Sequence, residues 1–300
     1  LVPFCAHKKE LAARRNLAGA EGPERASWGR KGLALCQTLG KGRKTVRNYL
    51  KAEFYKLSRR KYPWVTLGVV LLLESLLLLG FVILGVSPID FYDGATNLLT
   101  LLVLGMFAPL LTCDMVFADQ YKNGTLKNEL AFGLSRAKIY WGKLLAQTIL
   151  SLALCAVFLG YYLGGCWLLL GHDPIEDLLA IQTVQCALAC VLPLWLGMQG
   201  LCCAMCFAFR SDLMGAIAAV GLVYGLSLVL FVAGGMAGHT AFGALLRTIQ
   251  IYLPDHLLTE ASGLSAPDWA LCARSWLVGA VWFALSTAVG LLAFRRREIQ

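Results

Sequence analysis

Charge is scarce in this sequence. Only 15% of its 300 residues are Asp, Glu, Lys or Arg, against about a quarter in an ordinary soluble domain. The charges are also clumped, leaving long stretches with almost none, so a soluble globular chain is excluded and a membrane class implied. Histidine is scarcer still: His7, His172, His239 and His256 are the full set, and all fall in a predicted tail or in predicted outer loops. No Walker A pattern, G-x-S-x-G or H-E-x-x-H occurs, and no His/Asp pair shares an apolar run. ATP hydrolysis by the chain itself, a serine nucleophile and a zincin site therefore have no residues to carry them. The expectation is a protein that is not an enzyme and binds no cofactor directly.

Apolar residues are abundant. They make up 58% of the chain, and the mean hydropathy is +0.65. The net charge of +9 is mostly a property of one end. Residues 1–45 hold ten Lys/Arg and three Glu, giving +7, and the other 255 residues carry only +2. A basic face for nucleic acid is therefore not indicated. The 11 cysteines include Cys155, Cys166, Cys186 and Cys190 inside apolar runs, where free Cys behaves as a small hydrophobe. The Cys202, Cys203 and Cys206 group has no His or Cys pair nearby to complete a metal site.

Residues 1–45 show no apolar run and no periodicity, and they read as a disordered basic tail. The chain begins with Leu1, and the expectation is that 1–45 is upstream read-through with the start at Val46, a residue a GUG codon encodes. Residues 46–300 form the membrane domain. In 46–62, Tyr49, Leu50, Phe54 and Leu57 recur at helical spacing beside Lys51, Lys56, Arg59 and Arg60. That pattern suits a helix lying at an anionic membrane surface, or a plain juxtamembrane anchor. Spanning takes about 20 apolar residues, and six runs qualify: 64–86, 97–117, 144–170, 178–208, 213–236 and 272–294. Pro193 is the expected kink in the long fourth run.

The distribution of Lys and Arg orients the chain. With the N-terminus inside, 25 of the 27 basic residues are cytoplasmic, and only Arg247 and Arg274 fall outside. Both termini are then cytoplasmic. The 237–271 connection is an outer segment, half apolar and broken by Pro254, suited to capping or dipping between the spans. Within the spans, Glu74 is nearly alone. An intramembrane carboxylate lines a functional polar path or hydrogen-bonds inside the bundle, so Glu74 is the candidate for the translocation path. The pairs Gly160/Gly164 and Gly221/Gly225 have the small-xxx-small spacing of close helix contacts, within one subunit or between two.

The stretch 117–145 reads as a short helix lying across the cytoplasmic face between spans two and three, with an apolar stripe at Leu126, Leu130 and Phe132. Its run GTLKNELAFGLSRAKIYWGK resembles the first cytoplasmic loop of ABC-2 type permeases, the membrane subunits of many bacterial ABC exporters. The opening YLKAEFYKLSRRKYPW is similar to that family's N-terminal amphipathic segment. Gly124, Thr125, Glu129, Ser135, Arg136 and Lys143 match the loop motif, and Glu53, Lys56 and Arg59 match the opening one; Phe132-Gly133-Leu134 stands where many relatives have a Pro.

The resemblance implies an all-α fold of six spans like that of type V ABC exporters, in a bacterial cell membrane. It implies an elbow helix over 46–61 and a coupling helix near 122–133, where Lys122, Asn123, Gly124, Thr125, Leu126, Glu129, Leu130, Ser135 and Arg136 would meet a cytoplasmic ABC ATPase. It also implies a second permease subunit, with ATP acting only through the partner ATPase. The rival reading is a non-transporting membrane sensor or assembly scaffold. The substrate is not legible.

Overall fold

The computed structural model describes residues 46–84, 90–122, 129, 134–209 and 211–296. The chain divides into a unit Leu1–Asn48, of which only 46–48 are described, and a unit Tyr49–Gln300. The expectations for residues 1–45, and for Asn123, Gly124, Thr125, Leu126 and Leu130, lie outside the described residues. So does the side chain of Lys122.

The described residues are helical, with one isolated β-bridge between Asp90 and Gly171. In order, the helices are α1 Val46–Ser58, α2 Lys61–Leu84, α3 Phe91–Gly105, α4 Ala108–Lys122, α5 Arg136–Leu169 and α6 Pro174–Phe209. There follow α7 Asp212–Val220, a π-helical turn Gly221–Gly225, α8 Leu226–Met236, α9 Ala241–Ile251, α10 Pro254–Ser262 and α11 Trp269–Arg296. Five segments are long and apolar enough to cross a membrane, or six if α3 and α4 count as one span bent by 46°.

The helix ends follow local chemistry. Ser135 Oγ accepts from Lys138 N–H at 3.4 Å and caps α5, and Thr240 Oγ1 accepts from Gly243 N–H at 3.1 Å to cap α9. Asp268 Oδ1 accepts from the N–H groups of Ala270 and Leu271 at the start of α11. Pro254 opens α10, where its missing N–H costs nothing.

The second predicted span, 97–117, is not one straight helix. It breaks at Met106-Phe107, because Pro109 sits four residues after Gly105 and cannot donate to its carbonyl. The carbonyl of Pro109 is itself taken by Gln147 Nε2 of α5 at 3.2 Å, which ties the break to the neighbouring span. The third predicted span, 144–170, starts earlier: α5 begins at Arg136, so Lys143 belongs to a helix rather than a loop.

Helix α6 is the centre of the bundle, with 56% of its most apolar window buried, whereas α2 has 6% and lies at the edge. Pro193 lies inside α6. The most extensive pairing is α6 with α11, and it is built from small residues. Gly279 meets the backbone of Pro193, Gly290 meets Ala204, and Gly200 meets Ser286 and Phe283. In a bilayer, lipid is as apolar as the core, so such close approach carries the association. By contrast Gly160, Gly164, Gly221 and Gly225 have nothing among the described residues within 4 Å of a would-be Cβ. Their spacing therefore marks no close contact among the described residues.

Candidate functional site: an ion-paired knot at one end of the bundle

Four segments meet at one end of the bundle: α1, the end of α4, Glu129 of the following connection, and the start of α5. The glycine at position 142 lets α1 approach, because the Tyr49 ring occupies the space a side chain there would fill. On the next residue, Lys143 Nζ lies 3.1 Å from Glu53 Oε2, and both side chains are only 3% exposed. The Lys143 ammonium also donates to Val116 O at 3.4 Å and sits 5.8 Å from the Phe117 ring centroid. Glu53 spends its other oxygen on Lys56 Nζ at 2.9 Å, and Lys56 reaches on to Glu129 Oε1 at 3.6 Å. Tyr49 closes the circuit, donating its hydroxyl to Glu129 Oε2 at 3.0 Å. From the end of α1, Arg60 Nη1 donates to Met115 O at 2.6 Å.

A carboxylate taken out of water needs this much company. Burial opposes ionisation of Glu53, but the charges of Lys143 and Lys56 outweigh it and hold its carboxyl below the usual carboxylate range. Burial also works against the Lys56 ammonium, and the Glu53 charge overrides it and raises that group. Burial, reinforced by Glu53 and Glu129, pushes the Tyr49 phenol up, so it stays a donor at neutral pH.

The sign of the resulting pH dependence follows. A carboxyl held low by folding stabilises the folded state above its ordinary range, and that gain is lost as pH falls through the range and below it. The thermal stability of the detergent-solubilised wild type is expected to fall more steeply than that of Glu53→Gln on acidification from about pH 6 to about pH 3. Parallel profiles would contradict this role of Glu53.

The structure thus brings together Glu53, Lys56, Glu129 and Lys143 from the sequence-predicted sets. Arg59 is not among them; its guanidinium lies over the Tyr55 ring at 5.4 Å on the exposed side of α1. Ser135 is a helix cap, and Arg136 Nη1 donates to Phe294 O at 3.1 Å and to Arg295 O, neutralising the carbonyl end of α11. Glu74 lies apart, within α2. Sequence reasoning gave Tyr49 only an apolar role and gave none to Gly142. A glycine inside a helix was the available signal, since it permits the close approach that the Tyr49 ring makes here.

No group of three or more His, Cys, Asp or Glu that could hold a metal occurs among the described residues. Cys113 Sγ lies 3.0 Å from Cys206 Sγ, and Cys202 and Cys203 are buried free thiols in α6.

A family model described as ABC-2 family transporter protein matches residues 49–234. The match includes α1, the knot and the helices up to the last turn of α8, and stops before α9, α10 and α11. No curated protein matches the chain.

Proposed function

The chain belongs to the ABC-2 family of transporter proteins, and from that premise we propose that it is the membrane-spanning permease subunit of an ABC exporter, driven by a separate cytoplasmic ATPase. Proteins of this family typically work with such a partner. In this reading α3 and α4 form one bent span, the total is six, and both termini are cytoplasmic in a bacterial cell membrane. Residues 46–58 are the elbow helix. ATP is bound by the partner and not by this chain, and two permease subunits complete the transporter.

The observation that carries the reading is the circuit from Glu129 through Lys56 and Tyr49 to Glu53 and on to Lys143. A push on the 122–133 connection reaches Glu129. From there the charged contacts carry it to α1, and the buried pair carries it into α5. A loop joined only by flexible chain would dissipate the same force. Glu53 and Lys143 are thus the rigid end of the linkage, and Glu129 is its input.

Charge reversal tests this. Glu129→Lys places a cation against Lys56, and it is expected to lower capture of the ATPase by the tagged chain about tenfold without altering the elution of the membrane domain. Unchanged capture by this variant, and also by one with 122–133 replaced by Gly and Ser, would refute coupling through the knot.

A further inference from the structure

Glu74 takes no part in the knot, yet it lies on the one stripe of α2 that faces protein. Leu67, Leu71, Glu74, Leu78 and Phe81 are among the more covered positions of α2, at the three-and-four spacing of a single helix face. Leu78 packs on Gly165 of α5. One turn before each, Ser75 and Tyr161 meet through their hydroxyls at 2.7 Å. Glu74 therefore lines the shallow seam between α2 and α5. It stands thirteen residues from Lys61, about 20 Å along the axis at about 1.5 Å per residue, well inside a hydrocarbon layer about 30 Å thick.

A carboxylate at that depth is costly unless something pairs with it. Glu74 Oε2 is buried and has no hydrogen-bond partner among the described residues. Neither helix of the seam carries a cation at this level. The Lys61 of α2 is at its start, and the last cation of α5 in sequence is Lys143, which is committed to Glu53.

The neighbouring hydroxyls add a direction. Ser75 Oγ donates to Leu71 O at 2.7 Å, so its proton is used and Tyr161 must be the donor between the two hydroxyls. The Tyr161 oxygen is left as an acceptor, and the residue as a whole is 43% exposed. The seam thus offers a carboxylate, an acceptor oxygen and an aromatic face, beside exposed Leu72, Leu73 and Leu76. Such a set matches an organic cation attached to an apolar body, and it offers nothing to an anion.

We propose that the seam between α2 and α5 at Glu74, Ser75 and Tyr161 is a binding site for lipophilic cations entering sideways from the bilayer, and that such cations are the class of cargo this subunit handles. The cargo half of the statement rests on the permease reading; the binding half does not. The carboxylate is the recognition group, Tyr161 supplies the second acceptor and the π face, and the leucines of α2 take the apolar body.

The test uses the purified full chain in nanodiscs of zwitterionic lipid, with tetraphenylphosphonium as probe and tetraphenylborate as its anionic twin. The wild type is expected to bind the phosphonium saturably and the borate not at all. Glu74→Gln should weaken phosphonium binding about tenfold or more, and Glu74→Asp should keep most of it. A second measurement needs no variant: dicyclohexylcarbodiimide should label Glu74 in the wild type, and phosphonium should protect it, as read by peptide mass. Equal phosphonium binding in wild type and Glu74→Gln, equally tight borate binding, or labelling that phosphonium leaves unchanged would each overturn the site. Loss of ATPase partnership with phosphonium binding intact would remove the permease reading alone; an ATPase-coupled chain without phosphonium binding would remove the cation site alone.

Discussion

Lys143→Met is expected to destabilise the folded chain by about 3–5 kcal/mol, the range for breaking one side of a buried ion pair. Both Lys143 and Glu53 are almost fully enclosed. Removing the ammonium leaves the Glu53 carboxylate with only Lys56, whose side chain is 45% exposed and shares its charge with Glu129. Removing the carboxylate instead, as Glu53→Gln, leaves the Lys143 ammonium facing a carbonyl at 3.4 Å and the Phe117 ring. Each single variant therefore strands a charge. The double variant Glu53→Gln, Lys143→Met strands none and is expected to recover most of the loss. Thermal unfolding in detergent, with size exclusion as a check on folding, measures all three. A double variant no better than the worse single one would show that the two groups do not act as a pair.

Gly279→Val is expected to be similarly damaging for a steric reason. The space beside Gly279 is filled by the carbonyl group and Cβ of Pro193, which have no rotamer by which to yield. The α6–α11 contact must then open along the most extensive interface of the bundle. Overpacking costs about 1–3 kcal/mol in a soluble core, and the upper end applies where close backbone contact is the main source of helix association. Gly160→Val is the matched control, since nothing lies within 4 Å of its would-be side chain, and its effect on the subunit fold should stay within about 0.5 kcal/mol. Unfolding midpoints on titration with denaturing detergent compare the two. Equal midpoints would contradict the packing described.

The contrast between these glycines shows what was legible in the sequence. Small-residue spacing picked out Gly160/Gly164 and Gly221/Gly225, but spacing along one helix does not say which face meets a neighbour. The contacts formed instead at Gly197, Gly200, Gly279 and Gly290, between two helices far apart in sequence. Long apolar runs were a stronger signal, because the bilayer imposes their length, and every predicted run overlaps an observed helix or bent pair. The break in the second span escaped notice, although Gly105 and Pro109 at four-residue separation were its signature. The third span was drawn from 144, where the apolar run begins, but its helix begins eight residues earlier. Arg136, Lys138 and Lys143 are inside a helix that Ser135 caps, and the one deepest in the bundle, Lys143, is tolerated there because Glu53 neutralises it.

The site was half readable. Glu53, Lys56, Glu129 and Lys143 each stood in a matched motif, but nothing in two separate motifs states that they touch. That fact depends on the packing of α1 across Gly142. Arg136 has a second role that its motif did not state: its guanidinium reaches the carbonyl end of α11.

The most direct measurement is affinity purification of the tagged chain from its own membranes in mild detergent, with identification and quantification of the proteins retained. A Walker-A-bearing ABC ATPase at a stoichiometric ratio, lost on Glu129→Lys and retained on Gly160→Val, is the predicted result. A well-folded chain that retains no ATPase, with its knot intact, would contradict the permease reading and leave a membrane protein that works without one.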